Sequence, residues 1–303
     1  MIYSTVALNN ADPCLFGSAS EFDTCSDMQA CRQGGCLERY AVYVVFLPWL
    51  IVVKRKKMNL SRVTDQTFIG KILRLPLRLI PAQTVLPILQ GPLKGEKWII
   101  GSGVHGYWLG IYENEKQRAF THWVKAGNVV YDIGANVGYY TLLASTLVGE
   151  TGLVMAFEPL PANLIYLRKH LTLNGVYNTQ IFEVAVSNEN GTAMFSEMSE
   201  RSVGHLERTG KLEVQVVKLD TLYENGVIPP PDVMKIDVEG AEHQVLTGAL
   251  SILEEHHPVI FLATHGQEVH KQSCDLLLQL GYNLNSISSA SVEMSDELLG
   301  VFI

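Results

Sequence analysis

The sequence predicts an α/β protein with a mostly parallel sheet and helices on both faces. From residue 129 onward, short apolar stretches typical of buried strands alternate with longer stretches whose apolar residues recur at helical spacing. The first such unit, residues 129–145, is VVYDIGANVGYYTLLAS, which has the form of a strand, a glycine turn and the start of a helix. Ligands of such sheets bind at the carboxyl ends of the strands, near the point where strand order reverses.

The composition bounds the size and class of the protein. The chain has 303 residues, 47% of them hydrophobic, which suffices for one large packed domain or two small ones. Its net charge is −8 and no extended basic stretch follows residue 57, so nucleic acid is not expected as a partner. Of the 5 cysteines, only Cys274 follows residue 36, which is typical of a cytoplasmic protein rather than a disulfide scaffold.

Residues 1–57 differ in character from the rest of the chain. Residues 1–40 are polar and show neither helical nor strand period, and the spacings of their cysteines are unlike those of paired zinc ligands. Residues 41–53, AVYVVFLPWLIVV, form an apolar run that is followed by a basic cluster. The run is shorter than the ~20 residues of a membrane-spanning helix. Its positive charge follows it, whereas a signal peptide carries the charge ahead of the apolar run.

Three interpretations of this extension stay open. Residues 41–57 can make a peripheral membrane contact in which the basic cluster meets anionic lipid, or they can pack on the body. The third interpretation, which the change in character at Met58 favours, is that residues 1–57 do not belong to the working protein. The expected location is the cytoplasm, with membrane association under the first interpretation.

An N-terminal cap is predicted over residues 58–126, ahead of a catalytic domain over residues 127–303. In residues 58–97, leucine and isoleucine alternate with arginine, and several prolines interrupt any long helix. Short helices or extended pieces that pack on the larger domain are expected there, and a lid or membrane-touching edge is the alternative. Residues 113–127 are predicted to form a helix, with these apolar residues on one face: Ala119, Phe120, Trp123 and Val124.

The catalytic domain is predicted to alternate strands and helices. The main strands are expected at residues 129–133, 153–159, 181–186, 232–240 and 258–265, with two more in 284–289 and 298–303. Helices are expected at residues 138–148, 162–175, 241–256 and 268–281. An inserted pair of strands is expected at residues 191–195 and 212–217.

The glycine turn at residues 132–138 restricts the choice of cofactor. A P-loop needs a Lys-Ser/Thr pair after the glycines, where Tyr139 and Tyr140 stand instead. The dinucleotide pattern G-x-G-x-x-G is not matched, because Asn136 occupies the position of its middle glycine. Asp132 ends the strand just before the turn, where it would repel a pyrophosphate and suit a cofactor with a cationic amino group.

A second acid ends the second strand. Glu158 lies 20 residues beyond Gly138, a position where a carboxylate can accept hydrogen bonds from both hydroxyls of a ribose. This feature fits NAD and S-adenosylmethionine equally, and a solvated acid at a strand end is the plainer alternative.

The end of the fourth main strand carries a cluster of acids. Asp237, Glu239 and Glu242 lie within the stretch KIDVEGAE. A turn at the expected crevice is an unusual place for such charges unless they are used. For Glu239 and Glu242 the alternative is that they favour the positive N-terminus of the following helix.

Together these stretches resemble the FkbM family of S-adenosylmethionine-dependent methyltransferases. The resemblance runs from about residue 98 to the end of the sequence, and it rests on DIGANVG, VMAFEPLPANLIYLRKHLTLN, the AVS of 185–187 and LDTLYENGVIPPPDVMKIDVEGAEHQVLTG. It implies a class I methyltransferase fold, with a seven-stranded sheet whose last strand runs antiparallel. It also implies methylation of a hydroxyl on a small-molecule or glycan acceptor, often a sugar or a natural product.

The chemistry of methyl transfer and the positions of residues near the strand ends predict roles for individual residues. Asp237 is the first candidate for the base that takes the proton of the acceptor hydroxyl, and His265 is the second. Glu239 and Glu242 would bind the acceptor, and Tyr139 or Tyr140 would lie near the sulfonium unless they only pack the helix. The residues that would bind S-adenosylmethionine are Asp132, Gly134, Ala135, Asn136, Gly138, Glu158 and Ala185.

Several alternatives remain beside this prediction. No metal is assigned, although Asp237, Glu239 and His265 are ligand types that could hold a divalent ion if they converge. A non-catalytic domain that binds the cofactor or a partner is one further alternative. A nicotinamide-dependent oxidoreductase is less favoured, because the G-x-G-x-x-G pattern is not matched. The sequence makes no prediction of the oligomeric state.

Overall fold

The computed structural model of the chain describes residues 80–196, 211–288 and 290–302. All of these residues belong to one of the two compact units into which the chain divides, Asn59–Ile303. The predictions made for residues 1–57, including the membrane contact through residues 41–57, lie outside the described residues, as does the start of the cap. In the described part of the chain, no helix is long and apolar enough to cross a membrane.

A seven-stranded sheet forms the centre of the structure. Its strands, in chain order, are β3 (Val129–Ile133), β4 (Leu153–Phe157), β5 (Thr179–Phe182), β9 (Val233–Ile236), β10 (Val259–Ala263), β11 (Tyr282–Ser286) and β12 (Glu297–Phe302). The order across the sheet is β11-β12-β10-β9-β3-β4-β5. Strand β12 is antiparallel to both of its neighbours, whereas β5, β4, β3, β9 and β10 are parallel. The predicted class I methyltransferase fold is therefore confirmed.

The order of the strands reverses between β3 and β9. From β3 the chain moves outward to β4 and β5, and it then returns to place β9 on the other side of β3. The loops that follow β3 and β9 therefore leave the sheet side by side and open a crevice between them, which is where such sheets bind ligands.

Helices cover both faces of this sheet. They are α3 (Tyr139–Val148), α4 (Pro161–Leu173), α5 (Leu219–Glu224), α6 (Glu242–Thr247), α7 (Leu250–His256) and α8 (Gln267–Gln279). Successive side chains of a strand point to opposite faces. On β3, Tyr131 and Ile133 accordingly lie in the main core cluster with Leu246 and Leu253, while Asp132 contacts Thr141 of α3 on the other face.

A second, three-stranded sheet corrects the prediction of one long strand at residues 181–186. The backbone leaves the main sheet after β5, and β6 (Ala185–Val186) instead pairs in parallel with β8 (Lys211–Val217). Strand β8 is also antiparallel to β7 (Gly191–Ser196), so the predicted inserted pair of strands is confirmed. Ala185, Val214 and Val216 form a small core of their own in this sheet. The predicted strand is thus divided between two sheets.

The helix predicted at residues 241–256 is also divided in two. The backbone N–H of Asp220 donates to the carbonyl of Gly248 (3.0 Å), and the Asp220 carboxylate accepts hydrogen bonds from the N–H groups of Ser251 and Ile252 (3.2 Å each). These two N–H groups lie in the first turn of α7, where they have no partner within the helix. Asp220 therefore caps a new helix after α6 has ended, a contact between segments that apolar periodicity does not reveal.

The described part of the predicted cap consists of short elements packed on the main domain. They are the antiparallel strands β1 (Val85–Pro87) and β2 (Lys97–Ile99) and the helices α1 (Gly106–Leu109) and α2 (Asn114–Trp123). Trp98 of β2 is fully buried and stacks on His170 of α4, with ring centroids 3.6 Å apart. Phe120 of α2 packs against Phe261 of β10, so α2 covers the central sheet directly.

His170 joins the cap to the glycine turn. Its Nδ1 lies 2.8 Å from the carbonyl oxygen of Val137, and its Nε2 accepts a hydrogen bond from the N–H of Ile99 (3.2 Å). The second contact requires an unprotonated Nε2, so the ring is neutral and donates through Nδ1. Burial lowers the pKa of His170 to about 4.

We expect the contacts of His170 to make folding stability depend on pH. The pKa is near 6.5 in the unfolded chain and about 4 in the fold, so the unfolded state binds more protons between these values. The stabilisation is complete above pH 6.5, and about 3 kcal/mol of it is lost as the pH falls to 4. Urea unfolding from pH 7 to 4 measures this slope, which should be shallower in His170→Gln. Replacement of the exposed His122 by Gln is the control, and an equal slope in His170→Gln and the original protein would contradict the assignment.

Candidate active site

A cavity of about 410 Å³ opens at the carboxyl ends of the central strands, at the point where strand order reverses. Its size is that of a small-molecule site. One end is lined by the turn after β3, the end of β4 and residues 184–187; we call this the cofactor end. The other end, which we call the acceptor end, is lined by these residues: Tyr107, Tyr112, Glu113, Tyr139, Tyr140, Lys235, Asp237, Glu239, His265 and Glu297.

Three strained residues border this cavity. Glu113, Asn136 and Glu239 have φ values of 42°, 50° and 58°, in the left-handed region that L-residues rarely adopt. Among the described residues, His257 is the one other non-glycine residue with positive φ. Such conformations are costly and cluster at functional sites. The strain therefore marks both ends of the cavity as functionally constrained.

The glycine turn is held against the loop that follows β9. Gly134 has a φ of 77°, and a Cβ on it would lie 1.9 Å from the carbonyl oxygen of Asp237, so no other residue fits. The N–H of Asp237 donates to the carbonyl of Ile133 (3.1 Å), and the N–H groups of Gly134 and Ala135 donate to the carbonyl of Phe157 (3.0 and 2.9 Å). The turn is thus fixed from both neighbouring strands.

Asn136 and Glu158 meet at the cofactor end. The N–H of Asn136 donates to Glu158 Oε2 (2.8 Å), while Glu158 Oε1 accepts from the N–H of Leu160 (2.9 Å) and the side-chain amide of Asn163 (3.2 Å). Burial raises the pKa of Glu158, and these hydrogen bonds oppose the rise. The Oδ1 atom of Asn136 is buried and has no hydrogen-bond partner in the described protein, so it is available to a bound ligand.

Glu158 can accept fewer hydrogen bonds from a ligand than its position in the sequence indicates. A carboxylate has about four acceptor sites, and three donors from the protein already point at this one. The two ribose hydroxyls expected there must share the remaining site or displace a protein donor. The binding energy that we expect from Glu158 is therefore that of about one charge-assisted hydrogen bond.

Two of the residues predicted to bind the cofactor do not line the cavity. Asp132 is fully buried beneath the turn, where it contacts Lys235 Nζ at 3.1 Å and accepts a hydrogen bond from Thr141 (2.6 Å). The register of β3 and β9 places Asp132 opposite Lys235, which explains their pairing. A Cβ on Gly138 would lie 2.5 Å from Leu167, so this glycine permits close packing of α3 on α4.

Two lysines organise the charges at the acceptor end. Lys116 of α2 is 2% exposed, and its Nζ lies 2.9 Å from Glu297, 3.3 Å from Glu113 and 3.7 Å from Asp237. Lys235 Nζ lies 3.8 Å from Asp237 and donates to the carbonyl of Gly134 (2.8 Å). Burial would lower the pKa of both lysines, but the neighbouring carboxylates raise it, so both are charged.

These contacts make Asp237 a weak base. Burial alone would raise its pKa, but Lys235, then Lys116 and His265, hold it below the usual range. The side chain lines the cavity as predicted and carries a full negative charge at neutral pH. It is therefore suited to accept a hydrogen bond and poorly suited to remove a proton.

His265 is a cation held by a buried glutamate. Its Nδ1 lies 2.8 Å from Glu242 Oε1, and its Nε2 lies 4.0 Å from both Asp237 and Glu239. The hydrogen bond that Nδ1 donates to Glu242 raises the pKa of His265 to about 9, so the ring is an imidazolium at neutral pH and can donate but not accept a proton. Glu242 is fully buried behind it and does not line the cavity, whereas Glu239 does.

Aromatic rings complete the acceptor end. Tyr107 lies 4.4 Å from Tyr112 and 5.0 Å from Tyr139 between ring centroids, so three rings from the cap and α3 share one wall. The hydroxyl of Tyr140 donates to Glu113 (2.9 Å), and Lys116 lies 5.3 Å from the centre of its ring. Burial raises the pKa of Tyr140, which stays a neutral donor.

The sequence-based prediction missed Glu113, Lys116 and Glu297. A signal existed for Lys116, because it lies four residues before Phe120 and so falls on the apolar face of its helix. Glu297 comes into place through the pairing of β12 with β10, which brings it opposite Ala263. Among the described residues, no group of three or more acidic, histidine or cysteine side chains is arranged as a metal site.

Comparison with known proteins agrees with this architecture. Residues 132–284 match the family model described as the methyltransferase FkbM domain, which confirms the resemblance found in the sequence. One similar protein is the hexuronic acid methyltransferase AglP of Haloferax volcanii, 28% identical over 151 residues that cover 49% of this chain and 61% of AglP. Another is methyltransferase 1 of Beauveria bassiana, 24% identical over 152 residues, with 42% of this chain and 59% of that protein covered. The chain thus spans about three fifths of the length of these curated relatives.

Solved structures of methyltransferases also resemble the chain. Methyltransferase FkbM from Methylobacillus flagellatus matches with a TM-score of 0.44 and 18% identity, covering 58% of this chain and 43% of the other. Fibrillarin from Aeropyrum pernix, solved with bound S-adenosyl-L-methionine, matches with a TM-score of 0.39 and 14% identity, covering 60% and 68%.

We expect Glu158→Gln to weaken binding of S-adenosylhomocysteine by about 1.5–3 kcal/mol, because one charge-assisted hydrogen bond to the ligand is lost. Calorimetric titration of the full chain measures this loss as a roughly 10- to 150-fold rise in Kd. Glu183→Gln is the matched control, since Glu183 lies near the same sheet edge on the surface, paired with Arg168. An unchanged Kd for Glu158→Gln would reject the assignment.

We also expect Glu242→Gln to lower the pKa of His265 from about 9 toward its usual value near 6.5, because the main interaction that favours the imidazolium is lost. NMR titration of ¹³C-labelled histidine measures this pKa. Glu239→Gln is the matched comparison. Its carboxylate lies 4.0 Å from the ring and is 80% exposed, so solvent should reduce its effect. An equal or larger shift in Glu239→Gln would contradict the central role given to Glu242.

Proposed function

The chain belongs to the FkbM methyltransferase family, and on that premise we propose that it transfers a methyl group from S-adenosylmethionine to a hydroxyl oxygen of a sugar. The observation that best supports this proposal is the single cavity at the reversal of strand order. At one end of this cavity lies a glycine turn with an unpaired hydrogen-bond acceptor. At the other end lies a wall of carboxylates and aromatic rings. Donor and acceptor of a group transfer need such a shared space.

The cofactor is S-adenosylmethionine. The residues that line the cofactor end fit it, because Gly134 lets a ligand approach the backbone and Asn136 offers a free, buried acceptor. We assign its binding to Gly134, Ala135, Asn136, Glu158 and Ala185, all of which line the cavity. When bound, it supplies a methyl group activated by the adjacent sulfonium.

Asp132 contributes to the proposed cofactor binding indirectly. Its carboxylate holds Lys235, whose ammonium group donates to the carbonyl of Gly134. The fully buried pair of Asp132 and Lys235 thereby fixes the turn that faces the cofactor. Gly138 contributes by letting α3 approach α4, so both residues act on the shape of the turn rather than on the ligand itself.

The chemistry of the acceptor end suits a sugar. Carboxyl oxygens accept hydrogen bonds, and those of Glu113, Asp237 and Glu297 face the cavity beside the Lys116 ammonium. Hydroxyl groups of a sugar are matching donors, and the apolar face of a sugar ring can pack on the tyrosine wall. His265 adds a cationic donor that can meet an acidic group of the acceptor. AglP is named a hexuronic acid methyltransferase, so we choose hexuronic acids as the first acceptors to test.

The protein contributes alignment and proton acceptance to the reaction. Displacement at the sulfonium methyl needs the hydroxyl oxygen in line with the carbon–sulfur bond, and held reactants react far faster than free ones. We assign to Asp237 the orientation of the hydroxyl through a hydrogen bond, because its side chain lines the cavity. Its low pKa makes it a poorer proton acceptor than its position alone indicates.

Incubation of the full chain with [methyl-¹³C]S-adenosylmethionine and a panel of acceptors tests the proposal. The panel contains methyl glycosides of hexuronic acids, glycosides of the matching neutral hexoses, and a phenol. We expect a ¹³C methyl signal on a sugar that survives mild alkali, because a methyl ether resists the hydrolysis that removes a methyl ester. Glu183→Gln should retain the activity, and Glu158→Gln should lose most of it when the cofactor is below saturation.

The other outcomes separate the alternatives. A methyl group that alkali removes would identify the hexuronate carboxylate, not a hydroxyl, as the acceptor. Binding of S-adenosylhomocysteine without turnover on any hydroxylated acceptor would favour a non-catalytic, cofactor-binding domain.

A further inference from the structure

We infer that Glu297 is the catalytic residue that accepts the proton of the acceptor hydroxyl. The inference rests on the proposed function and names a role at the same site. In the reaction, the hydroxyl oxygen bonds to the methyl carbon, and the carbon–sulfur bond breaks with its electron pair passing to sulfur. The O–H bond breaks as well, and its proton passes to a carboxylate oxygen of Glu297. The products are a methyl ether, a neutral thioether and a protonated Glu297.

The position of Glu297 follows from the antiparallel strand. Glu297 is the first residue of β12 and pairs with Ala263, the last residue of β10, so it stands at the carboxyl edge of the parallel strands. The alternation of side chains places Glu297 on the same face of the sheet as Phe261 and Lys235, beneath α2. Because Ala263 has a small side chain, Glu297 can reach the cavity that it lines.

Glu297 is partly buried, and its carboxylate can accept further hydrogen bonds. Lys116 Nζ donates to its Oε1 at 2.9 Å and lies equally close to its Oε2, which has no well-aligned hydrogen bond in the described protein. Its side chain is 26% exposed. A fixed cation thus positions the carboxylate of a residue that lines the cavity, and its buried Oε2 keeps unused acceptor capacity in the described protein.

The other acids and bases at this end are less suited to the task. Asp237 lies between Lys116 and Lys235, which make it a weak base. His265 is already protonated. Glu113 accepts a hydrogen bond from Tyr140, and Glu239 is 80% exposed and therefore strongly solvated.

The electrostatics of Glu297 agree with this role. Burial raises its pKa to about 7; Lys116 lowers it, while Glu113 and Asp237 raise it further. Tyr107, Tyr112 and Tyr140 also face this cluster as neutral phenols, and Lys235 and His265 reach it through Asp237. A base works best when its pKa lies near the operating pH, and Glu297 meets that condition.

Thermal unfolding tests the titration of Glu297 without any acceptor. A carboxyl whose pKa is about 7 in the fold and near 4.5 unfolded stabilises the protein fully below 4.5, and this stabilisation is lost as the pH rises through 7. The Tm of Glu297→Gln, which cannot ionise, should therefore rise by several degrees relative to the original full chain between pH 4.5 and 8. Asp296→Asn, an exposed neighbour, is the matched control and should show a constant difference. A constant difference for Glu297→Gln overturns the inference.

The pH dependence of methyl transfer tests the catalytic role, with an acceptor found in the panel above. The rate of the original protein should rise with pH through about 7. Glu297→Gln should lose this rise and about 10²–10⁴-fold in kcat, with little change in the Kd of S-adenosylhomocysteine. Asp237→Asn should keep the rise. A Glu297→Gln variant that retains both rate and rise overturns the inference.

A second variant tests the inference without requiring Glu297→Gln to fold. Lys116→Gln removes the cation that lowers the pKa of Glu297, so the rise in rate should move to higher pH. A rise that stays in place overturns the inference. If no acceptor is methylated, the proposed function fails, while the Tm difference still decides whether Glu297 titrates near neutral pH.

Discussion

The backbone contact between Gly134 and Asp237 determines the geometry of the whole site. Because the carbonyl of Asp237 occupies the space where a side chain at position 134 would lie, the loops after β3 and β9 touch where strand order reverses. Lys235 reinforces this contact by bonding both Asp132 and the carbonyl of Gly134. The cofactor end and the acceptor end therefore share one rigid junction, and neither loop can move far without displacing the other.

The acceptor end of the cavity draws on more of the chain than the cofactor end does. The cofactor end comes from strands and loops within the range that matches the FkbM family model, residues 132–284. At the acceptor end, Glu113 and Lys116 come from the cap and Glu297 comes from β12, all outside that range. The cofactor end thus lies within the range that matches the family model, whereas the acceptor end combines residues of that range with Glu113 and Glu297 from outside it.

The parts predictable from sequence were those that depend on local pattern. Strand and helix alternation identified the sheet, and the turn DIGANVG identified the cofactor end, because close backbone approach demands glycine there. Local pattern did not show that Asp220 would cap a helix at residue 250 or that β6 would leave the main sheet. The prediction from local pattern also placed Asp132 and Glu242 in contact with the ligand. In the structure both are fully buried, Asp132 behind Lys235 and Glu242 behind His265. Lys116 and Glu297 are separated by 181 residues, and only folding brings them together.

The insertion of β12 between β10 and β11 has a consequence for the order of assembly. The chain forms β10, passes through α8 and β11, and only then places β12 between the two earlier strands. Contacts between distant segments are slow to form, because loop-closure entropy must be overcome before they stabilise the chain. The contact of Lys116 with Glu297 joins residues 181 positions apart, so it carries a high loop-closure cost. A chain in which β12 is not paired would leave Lys116, which is buried in the fold, short of a carboxylate partner.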